Sequence, residues 1–194
     1  MTPIRSVCLY CGSSKGRRPV FQQGAARFGS LLAERGIRLV YGGGQIGLMG
    51  VAADAALAKG GTVIGVIPKF LIDLEAGHKG LSELVTVGSM HERKQRMFEL
   101  ADGFAILPGG LGTLDELIEI ITWRQLGLHD KPIVLIDLDG YWRGLTDLID
   151  KVVADDFAKP RIRDLFTVVP TVDDVLPALE AATSGRIAPA PGRV

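Results

Sequence analysis

The sequence is poor in the residues that metal and redox chemistry needs. Of its 194 residues, two are cysteine and three are histidine. Two cysteines cannot fill a structural zinc site, which takes four ligands. His78, His91 and His129 show neither H-x-x-x-H nor H-x-x-E-H spacing. No metal and no other cofactor is expected. Long apolar runs are missing as well: none approaches the roughly 18 residues of a membrane span. The opening Met1-Thr2-Pro3-Ile4-Arg5-Ser6 has no secretory cleavage pattern. A cytoplasmic protein with no membrane partner is expected. Excess charge is missing too, since 22 Lys+Arg balance 22 Asp+Glu. That argues against a nucleic-acid partner held by bulk positive charge. No G-x-S-x-G nucleophile elbow occurs, and neither cysteine has a histidine near it in sequence.

Cys8 and Cys11 form a C-x-x-C. A redox pair of this kind sits at a helix start, whereas Cys8-Leu9-Tyr10 reads as strand. The expectation is a buried strand cysteine and a second at the strand end.

Glycine is the abundant residue: 25 of 194, nearly twice the usual share of about 7%. The glycines cluster at a few turns between apolar segments. The length fits one domain, expected over residues 1–183, with 184–194 as a frayed tail of Ala, Pro, Gly and Arg. Short all-apolar runs at 4–10, 37–41, 62–67, 84–87, 104–107, 133–136 and 166–169 read as buried strands. Amphipathic or Ala-rich stretches at 19–35, 47–59, 90–101, 113–128, 141–155 and 171–182 read as helices. Residues 69–83 read as irregular. This alternation predicts an α/β fold: a Rossmann-like, doubly wound parallel sheet with helices on both faces. Trp123, Trp142 and most phenylalanines are expected in the core or an interface.

Ligands bind such sheets at the carboxyl edge of the strands, and three strand-to-helix junctions carry chemistry there. The first, Gly42-Gly43-Gly44-Gln45-Ile46-Gly47, contains G-x-G-x-x-G. A dinucleotide site would add a carboxylate about 20 residues on. Here the next strand ends Val66-Ile67-Pro68-Lys69, so NAD is disfavoured and NADP is left only Lys69. The motif then reads as an anion cradle or as a turn packed closely on its helix. The second junction is Pro108-Gly109-Gly110-Leu111-Gly112-Thr113-Leu114-Asp115-Glu116. Glycines opening a helix let backbone N–H groups reach a phosphate. Glu116 has two readings: the N3 partner of Thr113 in a capping box, or a catalytic carboxylate. The third, Ser89-Met90-His91-Glu92-Arg93-Lys94, is another capping box. It puts two cations in a first helical turn, where the dipole disfavours them. They read as anion or substrate ligands, or else as solvated surface charges. Together the junctions suit a phosphorylated small molecule such as a nucleotide.

These residues resemble the LOG-type ("Lonely guy") cytokinin-activating phosphoribohydrolases. Residues 108–116 match that family's P-G-G-x-G-T-x-x-E motif, with Arg93 placed 23 residues before Glu116. Met90-His91-Glu92-Arg93-Lys94, Gly42-Gly43-Gly44 with Gly47-Leu48-Met49, and Cys11-Gly12-Ser13-Ser14 fit the same pattern. The resemblance covers residues 4–180 or so. Such proteins have long carried a lysine decarboxylase label, yet no pyridoxal-binding lysine context is recognisable here. The resemblance implies hydrolysis of the N-glycosidic bond of an adenosine 5′-monophosphate, with or without an N6 substituent. Free base and ribose 5-phosphate are the products. It implies Arg93 and Glu116 as the catalytic residues and a homodimer with the site near its interface. Lys94 joins Arg93 as a candidate substrate ligand. Gly109, Gly110, Leu111, Gly112 and Thr113 are expected to cradle the 5′-phosphate. Ser14, Gly43 and Gly44 would line the same pocket, Thr122 would reach it from further along the helix, and Glu75 and His78 would approach the base. The competing readings are a nucleotide-binding regulator without catalysis and an NADP oxidoreductase.

Overall fold

The computed structural model describes residues 3–72 and 77–184. The tail at 185–194 lies outside them. Among the described residues, seven strands and six α-helices alternate except between β3 and β4: β1 Ser6–Tyr10, α1 Pro19–Glu34, β2 Arg38–Tyr41, α2 Gly47–Ala58, β3 Val63–Pro68, β4 Glu83–Val87, α3 Met90–Leu100, β5 Gly103–Ile106, α4 Leu111–Gln125, β6 Ile133–Ile136, α5 Arg143–Ala154, β7 Thr167–Val169 and α6 Val175–Ser184. All the strands join one sheet in the order β4-β3-β2-β1-β5-β6-β7, and every pairing is parallel. This is the doubly wound α/β arrangement expected from the alternation.

The inner strands are apolar on both faces because both faces are covered; the edge strands β4 and β7 are mostly exposed, unlike the buried strands expected at 84–87 and 166–169. Val7, Leu9, Leu39 and Tyr41 pack with apolar residues of α1, α2 and α6. Cys8, Tyr10, Val40 and Phe104 pack with those of α3, α4 and the start of α5. Phe104 stacks on Tyr10 and on Phe98, with centroids 5.8 Å apart in each pair. Trp142 is buried as expected and Trp123 half-buried, while Phe70 and Phe157 are exposed.

The winding reverses between β1 and β5, where chain order departs in opposite directions. Their register aligns Tyr10 with Ile106, so both end at one level. The loops beyond are tied together: Leu107 N donates to Tyr10 O at 3.0 Å, Gly12 N to Pro108 O at 3.0 Å and Leu48 N to Gly12 O at 3.0 Å. A crevice at such a reversal is the usual ligand site of an open α/β sheet.

Cys8 and Cys11 are free and buried. Burial pushes both thiols well above their ordinary pKa, and the nearby charge of Glu116 adds to the rise. A thiol reagent at pH 8 is therefore expected to modify neither cysteine in the native protein and both after denaturation. The folded state prefers the protonated thiols. That preference is fully present below a thiol's ordinary pKa of about 8.5 and is lost as pH climbs through the raised values. Stability should fall as pH rises above about 8.5. Rapid native labelling would contradict the buried placement.

Candidate active site

The site is built around a buried arginine. Ser89 caps α3: its Oγ accepts from Glu92 N at 3.1 Å. The Glu92 carboxylate turns back to accept from Gly88 N at 2.7 Å. The Ser89 cap read from the sequence is therefore formed and fixes where the helix begins, but Glu92 meets Gly88 N rather than the Ser89 N of a full capping box. Arg93 closes the first turn as expected, Lys94 opens the second, and neither is a solvated surface cation. They are 5% and 8% exposed.

Arg93 reaches the glycine turn after β2, where its Nη2 donates to Gly42 O at 2.9 Å. A Cβ on residue 42 would sit 2.0 Å from that nitrogen. The first glycine of the G-x-G-x-x-G thus makes room for a guanidinium. Lys94 turns the other way. Its Nζ lies 3.1 Å from Asp115 Oδ2 and 3.0 Å from Glu119 Oε1, clamping α3 to α4. Burial works against its charge, but these two carboxylates outweigh it and hold its pKa above the ordinary lysine value.

The glycine loop after β5 opens α4 earlier than the sequence pattern indicated. The N-cap is Gly110, and Leu111 and Gly112 are already helical. Thr113 therefore stands inside the first turn, and it does not pair with Glu116 as a capping box. A cap side chain is absent because Gly110 has none, so the first N–H groups of α4 are left to face a ligand. Glu116, a turn further on, joins Arg93 in lining a crevice of about 230 Å³. Its charge raises the pKa of Tyr10, Cys8 and Cys11, after burial in each case, while Arg93 opposes it at Cys8. Both charged groups therefore act on β1, beside the winding reversal.

Of the residues expected from sequence, Arg93, Gly110, Leu111, Gly112, Thr113 and Glu116 line this one crevice. Others stand elsewhere. Ser14 is exposed, and its neighbour Ser13 takes the lining position. Gly43 and Gly44 are buried in the anchoring of the next loop: Gly43 O accepts from His78 N at 2.9 Å, and Gly44 bridges to Gly77. His78 does not face the crevice. Its Nε2 contacts Asp54 Oδ1 on α2 at 2.9 Å, and its Nδ1 accepts from Gly80 N at 3.0 Å. Gly109 lies behind the lining, with its carbonyl accepting from the Tyr141 hydroxyl. Thr122 is exposed and donates to Ile118 O at 2.7 Å on its own helix. It follows Glu116 by six residues, about 9 Å along the axis and on a different face. Glu75 lies outside the described residues.

The sequence reading missed the apolar wall. Met49, Met90 and Met97 all line the crevice, with Leu71 beside them. The chain has four methionines, so every one except Met1 converges here. Their rarity and their proximity to the glycine and arginine motifs were the available signal. Asp115 also reaches the rim. A larger hollow of about 660 Å³, bordered by Arg124, Asp150, Arg163 and Phe166, opens by the start of β7. It contains none of the converging motifs.

Replacing Lys94 with Met is expected to leave Asp115 and Glu119 unpaired and to lower stability by about 1–3 kcal/mol, the range between exposed and buried ion pairs. Lys94→Arg should recover part of that loss in urea unfolding. An unchanged unfolding midpoint for Lys94→Met would show that the clamp carries no stability.

The chain is also similar to known proteins. Residues 49–179 match a family model described as "Possible lysine decarboxylase". A cytokinin riboside 5′-monophosphate phosphoribohydrolase of Arabidopsis thaliana is 45% identical over 177 residues, 91% of this chain and 82% of the relative. A second Arabidopsis protein of that name is 45% identical over 178 residues, 92% of this chain and 78% of the relative. Among solved structures, the molybdenum cofactor carrier protein of Chlamydomonas reinhardtii shares the fold. Its TM-score is 0.71 at 19% identity, covering 96% of this chain and 100% of that one. That likeness concerns the fold alone, whereas identity of 45% across 91% of the sequence reaches further: the chain belongs to the LOG family, the family whose model carries the lysine decarboxylase description.

Proposed function

We propose that the protein hydrolyses the N-glycosidic bond of an N6-substituted adenosine 5′-monophosphate, releasing the free base and ribose 5-phosphate. The observation that carries this reading is the convergence of Arg93, Glu116 and the glycine-opened start of α4 on one crevice. The relatives named as phosphoribohydrolases act on cytokinin riboside 5′-monophosphates. Among the described residues no lysine lines the crevice, so the decarboxylase description finds no amine there to hold a pyridoxal carbonyl.

The mechanism follows from the placement. The first N–H groups of α4 receive the 5′-phosphate, helped by the positive end of the helix dipole. Glu116, one turn in, faces the ribose. As the bond from C1′ to the base nitrogen lengthens, positive charge builds on the ribose. The Glu116 carboxylate stabilises that charge and orients the water that attacks C1′. The water's oxygen bonds to C1′, one of its protons leaves through Glu116, and the base departs with the electron pair and takes up a proton. Arg93, held by Gly42, orients the nucleotide and stabilises negative charge on the leaving base. Met49, Leu71, Met90 and Met97 give the base an apolar and adaptable wall, which favours an apolar N6 substituent over a bare amine. Nucleoside monophosphates are intracellular, so this reading places the protein in the cytoplasm.

The same reading makes the protein a homodimer. One chain encloses about 230 Å³, short of the roughly 300–1,000 Å³ usual for such pockets. Leu111, on the rim, is 85% exposed, and Ile118, Leu126 and Leu128 continue an exposed apolar stripe along and beyond α4. A second copy covering that stripe would complete the wall.

Two experiments test this. Purified protein is incubated with AMP and, separately, with isopentenyladenosine 5′-monophosphate, and free base is resolved by chromatography. Base release is expected from both, faster from the prenylated nucleotide. Glu116→Gln should lower it at least about a hundredfold while leaving nucleotide affinity within a few-fold. Near-wild-type rates in that variant would refute the assignment, and binding without base release in the wild type would leave a regulator. In sedimentation equilibrium, the wild type is expected at twice the chain mass of 20.7 kDa. Ile118→Glu is expected at a single chain's mass. A wild-type monomer would overturn the dimer.

A further inference from the structure

Tyr141 stands outside the crevice and outside every motif considered so far. It follows β6 in the turn that leads into α5, and it is 32 residues from the glycine loop. Its hydroxyl donates to the carbonyl oxygen of Gly109. We infer that Tyr141 is a positioning residue for phosphate recognition: by holding the Gly109 carbonyl outward, it aims the N–H of Gly110 into the crevice. This rests on the proposed use of the α4 start as the 5′-phosphate cradle.

The argument is one of peptide geometry. In a trans peptide the carbonyl of one residue and the N–H of the next lie in one plane and point in opposite directions. Whatever holds the Gly109 oxygen therefore also sets the direction of the Gly110 N–H. Gly110 lines the crevice and Gly109 does not, so the two ends of this peptide face opposite sides of the loop wall. Glycines have no side chain to fix such a peptide, and a loop of them can rotate it. An inverted peptide would present a carbonyl oxygen to the phosphate and turn attraction into repulsion. Tyr141 removes that freedom.

Tyr141 is itself held firmly. Its ring meets Phe21 edge-on, with centroids 5.6 Å apart, and Trp142 edge-on at 4.9 Å. Asp137 Oδ1 accepts from Trp142 N at 2.6 Å and fixes the turn that carries both rings. On the far side of the peptide, Thr113 packs against Gly109 closely enough that a Cβ there would come within 2.1 Å of its Oγ1. The β6–α5 turn thus braces the β5–α4 loop at one oxygen atom.

Tyr141→Phe tests this because it keeps the ring contacts and removes only the hydroxyl. Binding of AMP and of adenosine is measured by calorimetry in the Glu116→Gln background, so that nothing is consumed, with the melting temperature recorded alongside. The parent is expected to bind AMP more tightly than adenosine. Adding Tyr141→Phe should weaken AMP about tenfold, the loss of one hydrogen bond to a charged group, and leave adenosine unchanged. Inorganic phosphate should compete with AMP less effectively in the double variant. An AMP preference that Tyr141→Phe leaves unchanged overturns the inference. So does an equal loss for both ligands with a lowered melting temperature, which would mark a structural role alone. A parent with no preference for AMP over adenosine would instead refute the phosphate cradle itself.

Discussion

A buried guanidinium is costly unless its charge and its hydrogen bonds are met, and the crevice is arranged around Arg93. The helix that carries it sets it in a first turn, where the dipole opposes a cation. Its position is held from outside the helix: the carbonyl of Gly42 accepts one nitrogen, and Glu116 shares the crevice. The glycine at 42 follows from the arginine, because any side chain there would occupy the guanidinium's place. Three strand ends are thereby committed to one another. β2 supplies the acceptor, α3 brings the cation across from β4, and β5 leads to the carboxylate.

The loops that surround this cation brace one another, so the crevice is held from behind as well as lined from within. Lys94 fastens α3 to α4 through two carboxylates. His78 fastens the segment after β3 to α2, while its own backbone holds Gly43. The Tyr141 hydroxyl reaches the glycine loop from the β6 side. Glycine-rich turns approach a ligand closely because they lack side chains, and for the same reason they lack means of fixing themselves. Neighbouring elements supply that fixity.

Several elements were legible in the sequence for local reasons. The inner all-apolar runs became strands because both sheet faces are covered there. Ser89-x-x-Glu92 became a cap because its partners lie within one turn. The same rule misread Thr113-x-x-Glu116. A Gly-Leu-Gly start is a weak helix former by propensity, yet α4 begins there because the loops after β1 and β5 are tied together and fix its entry. A helix starting at Thr113 would bring Thr122 nearer the site than the observed start allows, and Ser13, not Ser14, lines the crevice. Loop geometry at that scale has no pattern in the chain.

What the sequence determined by itself was the fold class and the sheet edge at which its three glycine-rich or capped junctions open, since periodicity and motif spacing are local properties; the joint role of Arg93 and Glu116 was implied by the family resemblance. Tertiary structure decided which cation faces the crevice and which clamps two helices, because Arg93 and Lys94 are adjacent in sequence and differ only in the side of α3 from which they leave. It also decided that three scattered methionines form one wall and that Tyr141 braces Gly109. These contacts join residues far apart in the chain, and only the folding of seven strands into one sheet brings them within reach.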